Sequence, residues 1–193
     1  MARPKTFERE AVLAKAMDVF WAKGYEATSM QDLVQAMGIN RGSLYDTFQD
    51  KRHLFLAAIA HYTDTVLQEM VVVLQAPNAS RPVIEAHFKN LVERALADPQ
   101  CRGCLITNTA IELASQDPEV AQRLQASFKR VEQGFCQALG RAQLLGEIGD
   151  DRDIRALAHY LTTCIQGIRV MSKVNPNPEA LRQTVALMLR SLD

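Results

Sequence analysis

The 193-residue chain lacks several features that mark other classes of protein. The apolar cluster Met70–Leu74 has only five residues, and no apolar run approaches the roughly 20 residues that a membrane span needs. The amino terminus leads into an amphipathic helical pattern and not into a secretory signal. We therefore expect a cytoplasmic protein with no membrane partner. Its four cysteines are expected to be thiols in that compartment, since structural disulfides are rare there.

The sequence also has little that indicates catalysis. It contains no Walker loop, no dinucleotide fingerprint and no second Cys-x-x-Cys or His pair that could complete a metal site with Cys101 and Cys104. The alternative interpretation is a small helical thiol-redox protein that uses Cys101 and Cys104, which form a Cys-Arg-Gly-Cys motif. A redox motif of that type belongs beside a β-strand, and no strand is predicted. We expect a non-enzyme without cofactor or metal.

Hydrophobic residues make up 48% of the chain, which is typical of a globular protein. Apolar residues recur at helical spacing and no segment alternates with period two, so we predict an all-α fold with about nine helices. Lys plus Arg and Asp plus Glu both number 22, and this balance neither favours nor excludes a nucleic-acid partner. The predicted helices lie at 7–23, 29–36, 40–46, 51–75, 80–97, 103–114, 118–145, 151–173 and 178–192.

Residues 28–55 carry the most specific local pattern. Thr28 and Gln31 have the spacing of a capping box ahead of a short helix, and Gly38 is suited to end that helix in a left-handed conformation. Asn40 is a good cap for a second short helix. The polar residues of this second helix face outward, as a helix that reads the DNA major groove requires.

Two spaced runs extend this pattern through residues 7–55: Ala16-x-x-x-Phe20-x-x-x-Gly24-Tyr25-x-x-Thr28-Ser29-x-x-Asp32-Leu33 and Gly38-Ile39-Asn40-Arg41-Gly42-Ser43-Leu44-Tyr45-x-x-Phe48-x-x-Lys51. They resemble the TetR family of bacterial repressors. The resemblance implies an N-terminal three-helix helix-turn-helix DNA-binding domain, residues 1–55. It also implies a C-terminal helical bundle for ligand sensing and dimerisation, residues 56–193.

The resemblance identifies candidate DNA contacts on the second short helix and beside it. Arg41 could offer two donors to a guanine, and the Tyr45 hydroxyl could bind a phosphate. Lys51 falls where the family has a phosphate-contacting lysine. The simpler alternative is a solvated helix face. The expected DNA-binding residues are Thr28, Asn40, Arg41, Gly42, Ser43, Tyr45 and Lys51.

A third run is similar to the electrophile-sensing, N-ethylmaleimide-responsive branch of the family: Gly103-Cys104-Leu105-Ile106-x-Asn108-Thr109-Ala110-x-Glu112-Leu113-Ala114-x-x-Asp117-Pro118-Glu119-Val120. Cys104 lies at a predicted helix start beside Arg102, and both features favour a reactive thiolate. It is therefore either a sensor or an ordinary structural thiol. The effector site is expected between the fourth and eighth helices, at Met70, Phe88, Leu91, Cys104, Leu105, Thr109, Glu112, Phe128 and Phe135.

The last two predicted helices carry a long apolar stripe. The family dimerises through a four-helix bundle of these helices, and a palindromic site requires a two-fold protein. The alternative is that one chain buries the stripe internally. The expected partners are a double-stranded DNA operator, a second copy of the chain, and a small-molecule or electrophile effector that releases the DNA. The expected dimer interface consists of Leu157, Leu161, Ile165, Ile168, Leu181, Val185 and Met188.

Overall fold

The computed structural model describes residues 8–193, and all regular elements in that range are helical. This confirms the predicted all-α class. Within the described chain the nine helices have ends that differ from the predicted ones by at most three residues. They are α1 Arg9–Lys23, α2 Met30–Met37, α3 Arg41–Phe48, α4 Lys51–Tyr62 continuing through a π-helical Thr63–Leu67 into Gln68–Gln75, α5 Arg81–Ala97, α6 Leu105–Leu113, α7 Pro118–Leu144, α8 Ile154–Val174 and α9 Pro178–Leu189.

The start of α2 differs from the prediction by one residue. Ser29, not Thr28, is the N-cap: its side chain accepts from the Asp32 amide, and the Asp32 carboxylate accepts from the Ser29 amide at 2.9 Å. Thr28 is buried and donates its hydroxyl to the Gly24 carbonyl at 2.6 Å. Hydrogen bonds from Lys23, then from Ser29, lower the pKa of Asp32. The capping box is therefore present, but it is built from Ser29 and Asp32.

The turn and the start of α3 agree with the prediction. Gly38 ends α2 with φ +68°, a left-handed conformation that glycine adopts at little cost. Asn40 caps α3 by accepting from the Ser43 amide at 2.8 Å. Leu44 and Phe48 are buried, so they anchor this short helix by its apolar side.

The chain divides into two compact units, and α6 belongs to the first. This unit combines the described residues up to Thr65 with Cys104–Ala121. Aromatic rings form part of its core: Phe20 and Phe55 meet edge to face at 4.9 Å between centroids, and Trp21 meets Tyr62 at 5.1 Å. The predicted boundary between residues 55 and 56, which separates a DNA-binding domain from a sensing and dimerisation domain, stays a prediction.

The second unit contains residues 66–103 and 122–193. Its core is apolar and is formed mainly by α5, α7, α8 and α9. Arg141 stabilises the connection between α4 and α5, because it donates to the carbonyls of Leu74 and Ala79 at 2.7 and 2.6 Å. No helix within residues 8–193 is long and apolar enough to cross a bilayer.

The residues expected at the dimer interface form part of this core. Their exposed fractions lie between 0% for Leu161 and 8% for Leu157. A side chain already buried in its own chain adds almost no area to a contact with a second chain. Their burial favours the alternative of a stripe buried within one chain, and their assignment to the interface stays a prediction. The set is Leu157, Leu161, Ile165, Ile168, Leu181, Val185 and Met188.

Candidate nucleic-acid interface

The outward side of α3 carries a paired arginine and tyrosine. Arg41 is exposed, and its Nη2 donates to the Tyr45 hydroxyl at 3.3 Å. The guanidinium also lies 5.7 Å from the Tyr45 ring centroid, since residues four apart share one side of a helix. The remaining guanidinium donors are suited to a base edge or a phosphate oxygen.

The backbone between these two side chains is also accessible. A Cβ built at Gly42 would have Asn40 Oδ1, 3.3 Å away, as its close neighbour. Ser43 is half-buried, and its amide is used by the Asn40 cap. The predicted division of α3 into a polar outer side and an apolar inner side is therefore present.

Lys51, the first residue of α4, lies against the segment that joins α1 to α2. Its ammonium is 4.4 Å from the Tyr25 ring centroid and donates to the Glu26 carbonyl at 3.5 Å. Burial, followed by the charge of Glu26, raises the pKa of the Tyr25 phenol. Tyr25 therefore stays neutral at physiological pH and offers its ring face to the cation.

Thr28 is the residue of the predicted DNA-binding set that is fully buried in the described chain. Its hydroxyl is donated within the α1–α2 segment, so the side chain is not available to a phosphate. The neighbouring Ser29 is exposed. The sequence could not separate these adjacent hydroxyl residues, because both fit the spacing of a cap.

Glu112 of α6 has a role that the sequence did not indicate. Its two carboxylate oxygens accept hydrogen bonds from the backbone amides of Tyr25 and Glu26, at 3.0 and 2.8 Å. A Cβ at Gly24, where φ is +82°, would lie 2.9 Å from Glu112 Oε2. Both oxygens are bound by the protein backbone in this conformation, and the effector contact by Glu112 stays a prediction.

A second contact lies at the start of α4. Arg52 forms ion pairs with Asp117 through two nitrogens and with Glu119 at 2.7 Å. The hydrogen bonds to Asp117, then to Glu119, raise the pKa of Arg52, and Arg52 in turn lowers the pKa of Asp117. Residues 112–119 therefore contact both the α1–α2 segment and the start of α4. We call them the α6–α7 corner.

Cys104 is the N-cap residue of α6 and is 1% exposed. The Tyr62 hydroxyl donates to its Sγ at 3.5 Å. Cys101 and the other two cysteines are each half-buried, and all four are free thiols. Cys104 is therefore the least accessible of the four, which favours a structural thiol in this conformation.

The remaining residues expected at the effector site fall into both compact units. Leu105 and Thr109 are buried in the first; in the second, the rings of Phe88 and Phe135 stack at 5.8 Å, while Met70, Leu91 and Phe128 are half-buried. A groove of about 370 Å³ lies between α5 and α9, lined by Lys89, Val92, Glu93, Arg182, Val185, Ala186 and Leu189. None of the expected effector residues lines it. Their joint site stays a prediction.

His87 is a polar group within the aromatic part of this second unit. Its ring meets Phe88 and Phe135 edge to face at 5.5 and 6.0 Å. Burial, followed by the charges of Arg169 and Arg94, lowers its pKa to about 4. The imidazole is therefore neutral at physiological pH. In the part of the chain that the structure describes, no three His, Cys, Asp or Glu side chains gather as metal ligands do.

The outer sides of α8 and α9 carry exposed apolar residues that lie outside the predicted interface set. They include Tyr160, Val170 and Val174 on α8, which are 42, 37 and 78% exposed, and Leu187 on α9, which is 68% exposed. A Cβ built at Gly167 would meet no described atom within 4 Å. This outer face is separate from the buried stripe of the same helices.

Comparisons with known proteins agree with this geometry. Residues 12–58 match the bacterial regulatory proteins of the tetR family, and residues 81–188 match the tetracyclin repressor-like C-terminal domain. The chain is 39% identical over 195 residues to YezE of Bacillus subtilis, an uncharacterized HTH-type transcriptional regulator, with complete coverage of both chains. It is 32% identical to the HTH-type transcriptional repressor ComR of Escherichia coli, over 97% of this chain and 90% of that one.

A solved structure gives the same result. It is a cysteine mutant of the TetR family regulator CifR complexed with 26-base-pair double-strand operator DNA. The TM-score is 0.87 and the identity 31%, over 99% of this chain and all of that one. The resemblance predicted from residues 7–55 is thus confirmed, and the chain belongs to the TetR family of DNA-binding transcriptional regulators.

Proposed function

We propose that the protein represses transcription as a homodimer on a two-fold symmetric operator and that an effector releases it. The observation that carries the proposal is the side of α3 formed by Arg41, Gly42 and Tyr45, which is polar and exposed while Leu44 and Phe48 anchor the helix from behind. A short helix of this kind fits the major groove with its polar residues toward the base edges.

The contacts divide into one base reader and several phosphate binders. Arg41 is suited to the paired acceptors of a guanine, and Tyr45 and Ser43 to the backbone beside it. Lys51 supplies a positive charge at the start of α4. Ser29 replaces the buried Thr28 as the hydroxyl at the start of α2. Phosphate contacts set the position of α3, and Arg41 gives base preference.

The outer face of α8 supports a two-fold dimer. Tyr160, Thr163, Gly167, Val170 and Val174 follow one another at intervals of three and four residues, the spacing of a helix seam that packs on another helix. All five are exposed, and Gly167 leaves room for a close approach. Contiguous exposed apolar residues of this kind mark an interaction surface. The dimer would therefore use the side of α8 opposite to the buried stripe, together with Leu187 of α9.

The effector would bind the state with lower affinity for DNA and shift the population toward it. Either a non-covalent ligand or an electrophile at Cys104 would suit this scheme. The Cys104 thiol is buried, so an adduct there requires the packing at the start of α6 to change. Covalent modification would thus act on the same compact unit that carries α3.

The proposal is tested by footprinting the DNA upstream of the gene that encodes this protein. We expect protection of two related half-sites about one helical turn apart, with two chains bound per site by light scattering. Protection without two-fold symmetry, or one chain per site, would contradict the dimeric arrangement. Failure to bind any DNA in preference to competitor would contradict operator recognition itself.

A further inference from the structure

A continuous series of contacts leads from α6 to the lysine proposed to bind phosphate. The backbone of Glu26 lies at its centre: the Glu26 N–H donates to Glu112 at 2.8 Å, and the Glu26 carbonyl accepts from Lys51 at 3.5 Å. The adjacent Tyr25 repeats the arrangement, since its N–H donates to Glu112 at 3.0 Å and its ring lies 4.4 Å from the Lys51 ammonium. Glu112 and Lys51 therefore bind the same two residues.

We propose that Glu112 is a positioning residue for DNA binding, which fixes residues 25 and 26 and through them the ammonium of Lys51. The inference rests on the proposed phosphate contact by Lys51. A carboxylate that accepts two backbone N–H groups makes strong, charge-assisted hydrogen bonds. The lysine side chain is flexible and loses rotamer freedom when it binds a phosphate. A surface that orders it in advance reduces that loss and so raises affinity.

The backbone at Gly24 allows the α1–α2 segment to approach Glu112 closely. Gly24 adopts φ +82°, and a Cβ there would lie 2.9 Å from Glu112 Oε2, so the absence of a side chain allows the segment to close on the carboxylate. The Arg52 ion pairs with Asp117 and Glu119 hold the other end of the α6–α7 corner against the start of α4. The corner thus contacts the chain on both sides of Lys51.

This arrangement gives α6 a direct effect on affinity for DNA. A displacement of α6 would break the hydrogen bonds of Glu112 and release the segment on which Lys51 lies. Cys104 occupies the N-cap position at the other end of the same nine-residue helix. An effector that moves α6 would therefore reduce phosphate binding without contacting α3.

The test is a double-mutant cycle with Lys51→Ala and Glu112→Gln, measured as operator affinity over a range of salt concentrations. Gln keeps the shape of Glu but has one acceptor oxygen, and its NH₂ would face a second N–H donor. We expect Lys51→Ala to reduce the slope of log affinity against log salt by about 0.9. We expect Glu112→Gln to weaken binding roughly tenfold, and to have less than a twofold effect once Lys51 is already Ala.

Ile111→Ala is the matched control, because Ile111 is the neighbour of Glu112 on α6 and its side chain is 72% exposed. It should bind the operator like the unmodified protein. Multiplication of the two effects in the double mutant, or unchanged binding by Glu112→Gln, would overturn the inference while leaving the Lys51 contact in place. Unchanged affinity and salt slope in Lys51→Ala would instead refute the phosphate contact, and the inference would fall with it.

A second variant keeps the test valid if Glu112→Gln folds poorly. Gly24→Ala presses a methyl group against Glu112 and should reproduce the weaker binding and, like Glu112→Gln, have little further effect once Lys51 is already Ala. Amide hydrogen exchange provides an independent measurement. The Tyr25 and Glu26 amides should exchange faster in Glu112→Gln, while the Gly38 amide, which donates to the Val34 carbonyl, keeps its rate. Equal rates for residues 25 and 26 in both proteins would contradict the proposed role.

Discussion

Leu187→Glu should separate the proposed dimer into folded monomers. Leu187 is 68% exposed in the single chain, and burying a whole leucine side chain contributes about 1.5–3 kcal/mol. Covering the exposed part would therefore contribute about 1–2 kcal/mol per chain and, by symmetry, about 2–4 kcal/mol per dimer. The variant loses this contribution to the free energy of association and places a charge on each side of the interface. We expect the dimer dissociation constant to rise at least roughly 30-fold.

Two other leucines provide the controls. Leu144→Glu makes the same change at a leucine that is 88% exposed at the end of α7 and should leave the dimer intact. Leu161→Ala removes a fully buried side chain and should lower the free energy of unfolding by about 2–5 kcal/mol. Sedimentation over a concentration series gives the association state, and urea unfolding gives stability. Dimers of unchanged strength in Leu187→Glu would refute the outer-face interface, and a stable Leu161→Ala would refute the core assignment.

Three further predictions concern His87 and Cys104. His87 has a folded-state pKa of about 4 against an ordinary value near 6.5, so stability is complete above pH 6.5 and falls by up to about 3 kcal/mol as the pH is lowered to 4. Urea unfolding across this range should show that His87→Gln removes this part of the acid sensitivity, and an unchanged pH profile would contradict it. Iodoacetamide should label Cys101 faster than the buried Cys104, as mass spectrometry can show, and equal rates would contradict the observed burial. A Cys104 adduct should change the fluorescence of Trp21, the single tryptophan. The reason is that the Trp21 ring contacts Tyr62, whose hydroxyl donates to Cys104.

The local chemistry of the sequence was sufficient to predict where the helices and the turns between them lie. Gly38 ends α2 through its left-handed backbone conformation, and Asn40 starts α3 through its side-chain cap. Both effects depend on neighbouring residues only. The cap of α2 was predicted one residue early, since Thr28 and Ser29 both offer a hydroxyl. Tertiary packing decides between them, because it buries Thr28.

Helical periodicity identified the apolar stripe of α8 but not its partner. The most apolar side of a helix packs into the core of its own chain, as Leu161 and Ile165 do. The outer side carries Thr163 and Gly167 among its apolar residues, so its pattern resembles an ordinary solvated surface. The spacing places these residues on one side of the helix, but it could not show that this side stays exposed in the folded chain.

The role of Glu112 had no local signal at all. Its hydrogen-bond partners, Tyr25 and Glu26, lie 87 and 86 residues away in the sequence. A glutamate on an amphipathic helix near predicted pocket residues suggested a ligand contact. Only the folded chain shows that its oxygens are bound by backbone amides.

Arg41→Ala, assayed on a set of operators with single base substitutions, tests most directly whether α3 reads the DNA. We expect affinity for the natural operator to fall by about 1–3 kcal/mol, and discrimination among bases to disappear at one position in each half-site. Arg94→Ala removes an equally charged, highly exposed arginine of the second unit and should leave base preference unchanged. An Arg41→Ala protein that discriminates among the substituted operators like the unmodified protein would contradict recognition by this helix.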